Sequence, residues 1–250
     1  MKVTVLGCGA SLGVPIVGGS WGLCDPDEPR NRRRRASILV EEGGTTLLID
    51  TSPDMRMQLL DAGVGSVDAV LWTHPHADHL HGINDLRGLS LTGHKRVPGY
   101  AGRDTLDEIH RAFGYIVAGD KGYRPILEAH EITGPFRIGP LAVTPFEQEH
   151  KVMKTLGFRF GAFAYSTDVV ELDEAAFAAL AGVRVWMVDC LREEPHPTHS
   201  HLARSLDWIA RLRPERAVLT HMSHHADYRT LTGKLPAGVE LAYDGMVLDI

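Results

Sequence analysis

The stretch from Thr73 to Gly82, THPHADHLHG, places four histidines and an aspartate within ten residues. It directly follows the apolar run Asp68 to Trp72, so these side chains arrive at the end of a buried strand. In an extended chain residues i and i+2 point the same way, so His74 and His76 can grip one ion together. Asp78 and His79 come as the backbone turns and aim at a neighbouring position. Imidazoles combined with a carboxylate suit zinc, manganese or iron, whereas calcium takes oxygen ligands. Four side chains from one loop cannot complete two metal sites, so further ligands must come from elsewhere in the chain.

The elements that position such a loop are legible along the sequence. Lys2 to Leu6 reads as an opening strand, followed by a glycine-rich turn through Pro15 and an irregular loop over 16–35 that ends in the basic run Arg32 to Arg35. The β-rich runs 37–41 and 45–50 around Gly43 and Gly44 predict a hairpin. Ser52 and Pro53 predict a helix start with the proline in the first helical position. Short helices are expected over 81–89 and 105–113, and residues 114–135, rich in glycine and proline, read as the least regular part. Strands are expected at 136–138, 141–147, 156–160, 163–167, 185–189 and 217–220, helices at 173–181 and 201–212, and a final strand pair around 243–248. Helices and strands alternate in both halves, which predicts α/β sheets packed face to face with helices outside.

Composition bounds the rest. A length of 250 residues with 44% hydrophobic and 23% charged side chains fits one α/β domain over 1–250, or two fused similar halves. The formal charge of -6 argues against a protein that coats nucleic acid over an extended surface. Three cysteines, Cys8, Cys24 and Cys190, are no disulfide framework and fit a reducing compartment. The first residues lack the apolar core of a signal peptide, and no window reaches the length of a membrane span. The expectation is a cytoplasmic protein with no membrane partner.

The THPHADH motif resembles the signature of the metallo-β-lactamase superfamily, and the resemblance runs along essentially the whole chain. It implies a four-layer αβ/βα sandwich with metals at one sheet edge. Gln148-Glu-His150, Tyr165-Ser-Thr-Asp168 and Leu219-Thr-His221 match the later ligand motifs in order, each at a predicted strand end. The resemblance implies that His74, His76 and His150 hold one divalent transition-metal ion, that Asp78, His79 and His221 hold a second, and that Asp168 bridges them. Zinc and manganese both suit these ligands. The presence of Asp168 separates this chain from true β-lactamases, which the resemblance implies lack a bridging aspartate there.

Motifs outside the ligand set resemble the phosphodiesterase branch, which holds ribonuclease Z and the phosphoribosyl 1,2-cyclic phosphate phosphodiesterase. These are Gly7 to Pro15, the basic run leading to Ser37, Leu219 to His224, Tyr243 to Met246, and Val188-Asp-Cys190 before a histidine-bearing loop. Glycines 7, 9 and 13 do not make a dinucleotide fingerprint, since the third falls one residue late. The cyclic phosphodiesterase is the closer match; in it a loop histidine is the proposed general acid, and spacing to the following helix puts the match on His199. An imidazole near its reference pKa can donate a proton at neutral pH. Asp78 is carried with His199 as a catalytic residue, and His196 and His201 remain alternatives for part of the role of His199. Arg33 and Arg35 are expected to reach a substrate phosphate.

The relative also carries a cysteine-held structural zinc. Here only Cys24 and His224 match it, so that site is expected to be absent or degenerate, with Trp21 packed into the space. His81 is expected to support the motif, and His94, His110 and His130 to be surface or core polar residues. The reading is a dinuclear metal phosphodiesterase for a small cyclic or nucleotide-like phosphodiester. A ribonuclease Z-like endonuclease, a thioesterase or lactonase, and a non-catalytic metal-binding fold are its alternatives. Family members are often dimers, so a homodimer stays open.

Overall fold

Alternation decides which faces of the first strands are buried, and both are. The computed structural model describes residues 1–250. In β1 (Lys2–Gly7), β2 (Ser37–Glu42), β3 (Thr45–Ile49) and β4 (Ala69–Leu71), residues such as Val5, Ile38, Val40, Leu47, Ile49 and Leu71 point to one core. Leu6, Leu39, Leu48 and Val70, one residue out of phase, point to another, as does Trp72 just beyond β4. The second core is closed by α1 (Met55–Asp61), α2 (Ala77–Leu80), α3 (Leu86–Gly93) and α4 (Arg103–Ala118), through Met55, Leu59, Leu80, Leu86, Leu106 and Ile109. Each fully buried aliphatic side chain of this kind contributes about 1.5–3 kcal/mol.

The first sheet continues into β5 (Val97–Ala101) and β6 (Leu127–Glu131). The second holds β7 (Phe136–Ile138), β8 (Leu141–Glu149), β9 (Lys154–Phe160), β10 (Phe163–Ser166), β11 (Val185–Asp189), β12 (Arg216–Thr220) and β13 (Val239–Leu241). Helices α5 (Glu174–Leu180), α6 (Leu202–Leu212) and α7 (Tyr228–Thr232) belong to this second half, and β14 (Val247–Asp249) returns to the first sheet. The strand orders are β14-β1-β2-β3-β4-β5-β6 and β13-β12-β11-β10-β9-β8-β7. In each sheet antiparallel pairs give way to parallel ones, at β3 and at β10, so the two halves repeat one plan. The architecture is the expected pair of mixed sheets flanked by helices. No helix is long and apolar enough to cross a membrane.

Several local expectations need correction. Helix α1 starts at Met55 with Asp54 as its cap; Pro53 sits in the turn before it, where Ser52 Oγ accepts the Asp54 N–H at 3.1 Å. Strand β5 was hidden by Pro98 and Gly99. Gly99 is required there because a Cβ would lie 2.6 Å from the Trp72 ring. Helix α4 runs five residues past the expected Phe113, since burial of Ile116 outweighs the glycine at 114. Strands β13 and β14 do not pair with each other; they join different sheets, and α7 was not anticipated.

The arginine run is no loose basic edge. Arg33 is 2% exposed and donates to Ser223 O at 3.2 Å, Asn31 Oδ1 at 3.2 Å and Cys24 Sγ at 3.8 Å. Asn31 in turn donates to Asp227 at 2.8 Å. The Arg35 guanidinium sits 3.0 Å from Asp54. Both side chains are committed to the fold, which corrects their expected role as substrate contacts. Arg33, rather than Trp21, ties down the loop around Cys24, and Trp21 instead packs under Arg32, 5.2 Å from its ring centroid. Arg33→Ala is expected to cost about 2–4 kcal/mol in urea unfolding, because it leaves a cavity and takes one of two N–H donors from each of Ser223 O and Asn31 Oδ1, which keep only the Ala226 and Tyr228 N–H groups.

Candidate metal centre

The parallel strands deliver polar groups at their carboxyl ends, where open α/β sheets place their ligands. Asp50 follows β3, the Thr73–His79 segment follows β4, Asp168 follows β10, Asp189 ends β11 and His221 follows β12; His150 comes from the end of β8. Asp50, Asp168 and His221 have left-handed backbones, with φ of 64°, 53° and 59°. Aspartate and histidine enter that region more readily than bulky residues, at a strain of about 1–3 kcal/mol each. Three such residues meeting at one point mark a site whose geometry is imposed by its surroundings. Gly82 clamps the β4 loop, since a Cβ there would meet Ser52 O at 1.9 Å.

Seven side chains converge as two groups that share one member. His74, His76, His150 and Asp168 present ligand atoms within 4.8 Å of one another, and so do Asp78, His79, Asp168 and His221. Asp168 faces both: Oδ1 lies 3.8 Å from His74 Nε2 and 3.9 Å from His150 Nε2, while Oδ2 lies 3.0 Å from His79 Nε2 and 3.3 Å from His221 Nε2.

Hydrogen bonds fix three of the rings. His79 Nδ1 lies 2.7 Å from Asp50 Oδ2 and His150 Nδ1 lies 2.7 Å from Thr198 O. Thr73 spends its hydroxyl proton on Asp50, so its oxygen must accept from His74 Nδ1, 3.0 Å away. Each acceptor holds a proton on Nδ1 and turns Nε2 inward, where it offers a lone pair whenever the ring is neutral. His74 Nε2, His79 Nε2 and His221 Nε2 are buried without a hydrogen-bond partner.

The charges agree with the geometry. At His79 burial opposes protonation, yet Asp168, Asp78 and Asp50 together raise its pKa well above the usual value. Burial likewise opposes ionisation of Asp78 and Asp168, and the surrounding histidines nevertheless hold both well below the usual carboxylate range. His74, with burial dominant, is held neutral. A buried cluster of anionic oxygens and imidazole lone pairs fits divalent transition-metal ions by donor chemistry alone.

Asp50 was read in the sequence only as a strand end, and Asp189 as a strand end within the Val188-Asp-Cys190 motif, with no role assigned to either. Both are fully buried and both orient histidines. Asp189 Oδ2 accepts the Val169 N–H at 3.0 Å and lies 3.2 Å from His199 Nδ1. Its other oxygen is 3.9 Å from His221 Nδ1, so Asp189, His199 and His221 also fall within 4.8 Å. The available signal was an aspartate closing an apolar strand, the same pattern that singled out Asp168. Burial works against the charged form of His199, but Asp189, with Asp168 and Asp78, raises its pKa to about 9.

The His196 ring lies tilted beside His199 with centroids 5.3 Å apart, and His201 lies at the start of α6. His81 packs on Phe113, His94 caps α3, His110 sits exposed on α4 and His130 stacks on Tyr100. Cys24 and His224 join no group of metal-capable side chains.

This fold and edge have relatives. Residues 45–222 match the model of the beta-lactamase superfamily domain, and the chain belongs to that superfamily. Among solved structures it is similar to a diphosphatase of the PhnP family, with 37% identity and a TM-score of 0.92 over 100% of this chain and 97% of that one. An octanoyltransferase of Porphyromonas gingivalis is 33% identical over 98% of this chain, but the chain spans only 51% of that protein. A ribonuclease Z of Mycobacterium marinum is 30% identical over 68% of this chain and 62% of its own length.

Proposed function

We propose that the protein is a dinuclear, zinc- or manganese-dependent phosphodiesterase acting on a small cyclic or nucleotide-like phosphodiester. The observation that carries this reading is Asp168, which turns one oxygen to each of two ligand groups while His199 stands beside it, 3.7 Å from Oδ1. His74, His76 and His150 would hold one ion and Asp78, His79 and His221 the other. Bound there, two divalent ions supply charge stabilisation for both the attacking and the leaving oxygen of a displacement at phosphorus. Asp50, Thr73 and Thr198 hold three of the ligand rings in register. His199 keeps Nδ1–H on Asp189 and presents Nε2–H to the leaving oxygen as general acid.

The similarity to a diphosphatase supports hydrolysis at phosphorus. The octanoyltransferase has half its length outside the match, so its named activity has other sequence in which to reside. The net charge of -6 argues against the extended RNA contact of an endonuclease.

Zinc- or manganese-loaded protein should open 5-phosphoribosyl 1,2-cyclic phosphate to a monoester in ³¹P NMR. Turnover of a thioester or lactone with no change in the cyclic ester would overturn the proposal.

Asp189→Asn should lower kcat about 10–100-fold and move the alkaline limb of the kcat profile to lower pH. The sign follows from the acid role: His199 works protonated, Asp189 raises its pKa, and removing that charge makes the proton leave at lower pH. A pH profile with an unmoved alkaline limb would show that Asp189 does not act through His199.

A further inference from the structure

The left-handed backbone of Asp168 is gripped from outside the set of ligand residues. Gln148 on β8 and Thr155 on β9 stand directly opposite each other in the antiparallel ladder. Gln148 Nε2 donates to Thr155 Oγ1 at 3.1 Å and to Thr167 O at 3.0 Å. Thr155 Oγ1 gives its own proton to Asp168 O at 3.1 Å. The Thr167 hydroxyl donates to Asp168 Oδ2 at 2.7 Å. No backbone N–H reaches the Thr167 or Asp168 carbonyl, so Gln148 and Thr155 are the donors that these carbonyls have. Gln148, Thr155 and Thr167 are all buried, which keeps water from competing for the bonds.

The same hairpin touches the rest of the centre. His150 follows the end of β8, and the Leu156 N–H of β9 donates to Thr73 O at 2.9 Å, directly before His74. One hairpin therefore carries a ligand of the first group, meets the segment that carries two more, and holds the residue common to both groups.

The Gln148 amide is only half used. Its Oε1 is buried without a hydrogen-bond partner. A buried acceptor left unpaired works against stability, and an apolar side chain would pack there without that cost. Turning the amide over would set Oε1 against Thr167 O, two acceptors face to face, so the Thr167 carbonyl decides how the amide lies. A polar group kept in a dry core under these conditions directs attention to what its two bonds hold.

We propose that Gln148 and Thr155 are positioning residues for the metal centre: together they fix the backbone at Asp168 so that its two oxygens stay divided between the two ligand groups. This rests on the two-ion reading of the centre and is independent of the substrate.

The test is zinc competition against a chromophoric chelator on protein stripped of metal, with near-ultraviolet circular dichroism reporting the folded fraction. Thr155→Val keeps the side-chain shape and deletes the hydroxyl, and it should bind zinc about 10–100-fold more weakly. Thr155→Ser returns the hydroxyl and should recover the affinity. Gln148→Met, which leaves the threonine in place, should repeat the loss and makes the same comparison if Thr155→Val does not fold. Action through Asp168 also predicts coupling: in an Asp168→Asn background, Thr155→Val should cost little more.

A merely structural pair would lower the urea midpoint and leave the zinc affinity of the folded protein unchanged, and that result overturns the proposal. So does a loss that adds in full to the loss in Asp168→Asn. Wild-type protein that takes up fewer than two zinc ions would sink the two-ion reading itself. Two ions bound equally well by wild type and variants would sink the positioning role alone.

Discussion

Asp168→Asn is expected to purify with about half of its bound metal or less, and to lose at least about 10³-fold in kcat on the cyclic ester, which is about 4 kcal/mol of barrier. Elemental analysis and single-turnover kinetics read the two effects. The residue has three properties that no neighbour has together. Its two oxygens face separate groups, with Oδ2 only 3.0 Å from His79 Nε2 while Oδ1 points toward His74 and His150. It is 2% exposed, so its charge is little screened by water. Its backbone is left-handed at φ 53°, which aims the side chain back from the strand end into the centre. Asparagine is the informative replacement because it tolerates that backbone, keeps the shape and retains an acceptor for Thr167. An alanine variant would mix the loss of a ligand with backbone strain. Undiminished metal content together with normal turnover in Asp168→Asn would remove Asp168 from the centre.

How much of this was legible depends on how local each signal is. His74, His76, Asp78 and His79 lie within six residues behind a buried run, so their convergence needs only strand and turn geometry. His150, Asp168 and His221 could be found because each closes an apolar strand in an order that the superfamily resemblance implies. Asp189 and Asp50 close strands just as Asp168 does, yet their roles are visible only through partners in other parts of the chain. Asp50 meets His79 across 29 residues and Asp189 meets Val169 across 20.

The arginines show the same limit from the other side. Four adjacent basic residues read as one patch, but alternation and loop packing separate them. Arg33 is sealed under Ser223, 190 positions away in sequence, and Arg35 is spent on Asp54. Arg192, which carries no motif, lines a cleft beside His199. Composition fixes which charges a chain owns, and long-range contacts decide which of them are free.

His199→Ala should lower kcat for an alkoxide leaving group about 10²–10⁴-fold, the usual worth of a positioned general acid, and leave metal content intact. The side chain retains 14% exposure while its partner Asp189 has none, so one ring nitrogen is anchored and the other meets the cleft. The loss should depend on the leaving group in a way that a folding defect cannot imitate. An alkoxide must be protonated as it departs, whereas a nitrophenolate is stable as an anion and needs little help. The variant should therefore be crippled on the cyclic sugar ester and far less impaired on bis(p-nitrophenyl) phosphate. The alkaline limb should vanish along with the acid, because below its pKa of about 9 the wild-type imidazole carries the proton and above it the reaction loses its donor. Equal losses on both esters would assign His199 to positioning and pass the acid role to another group in the cleft, with His196, 5.3 Å away by ring centroid, the next to test.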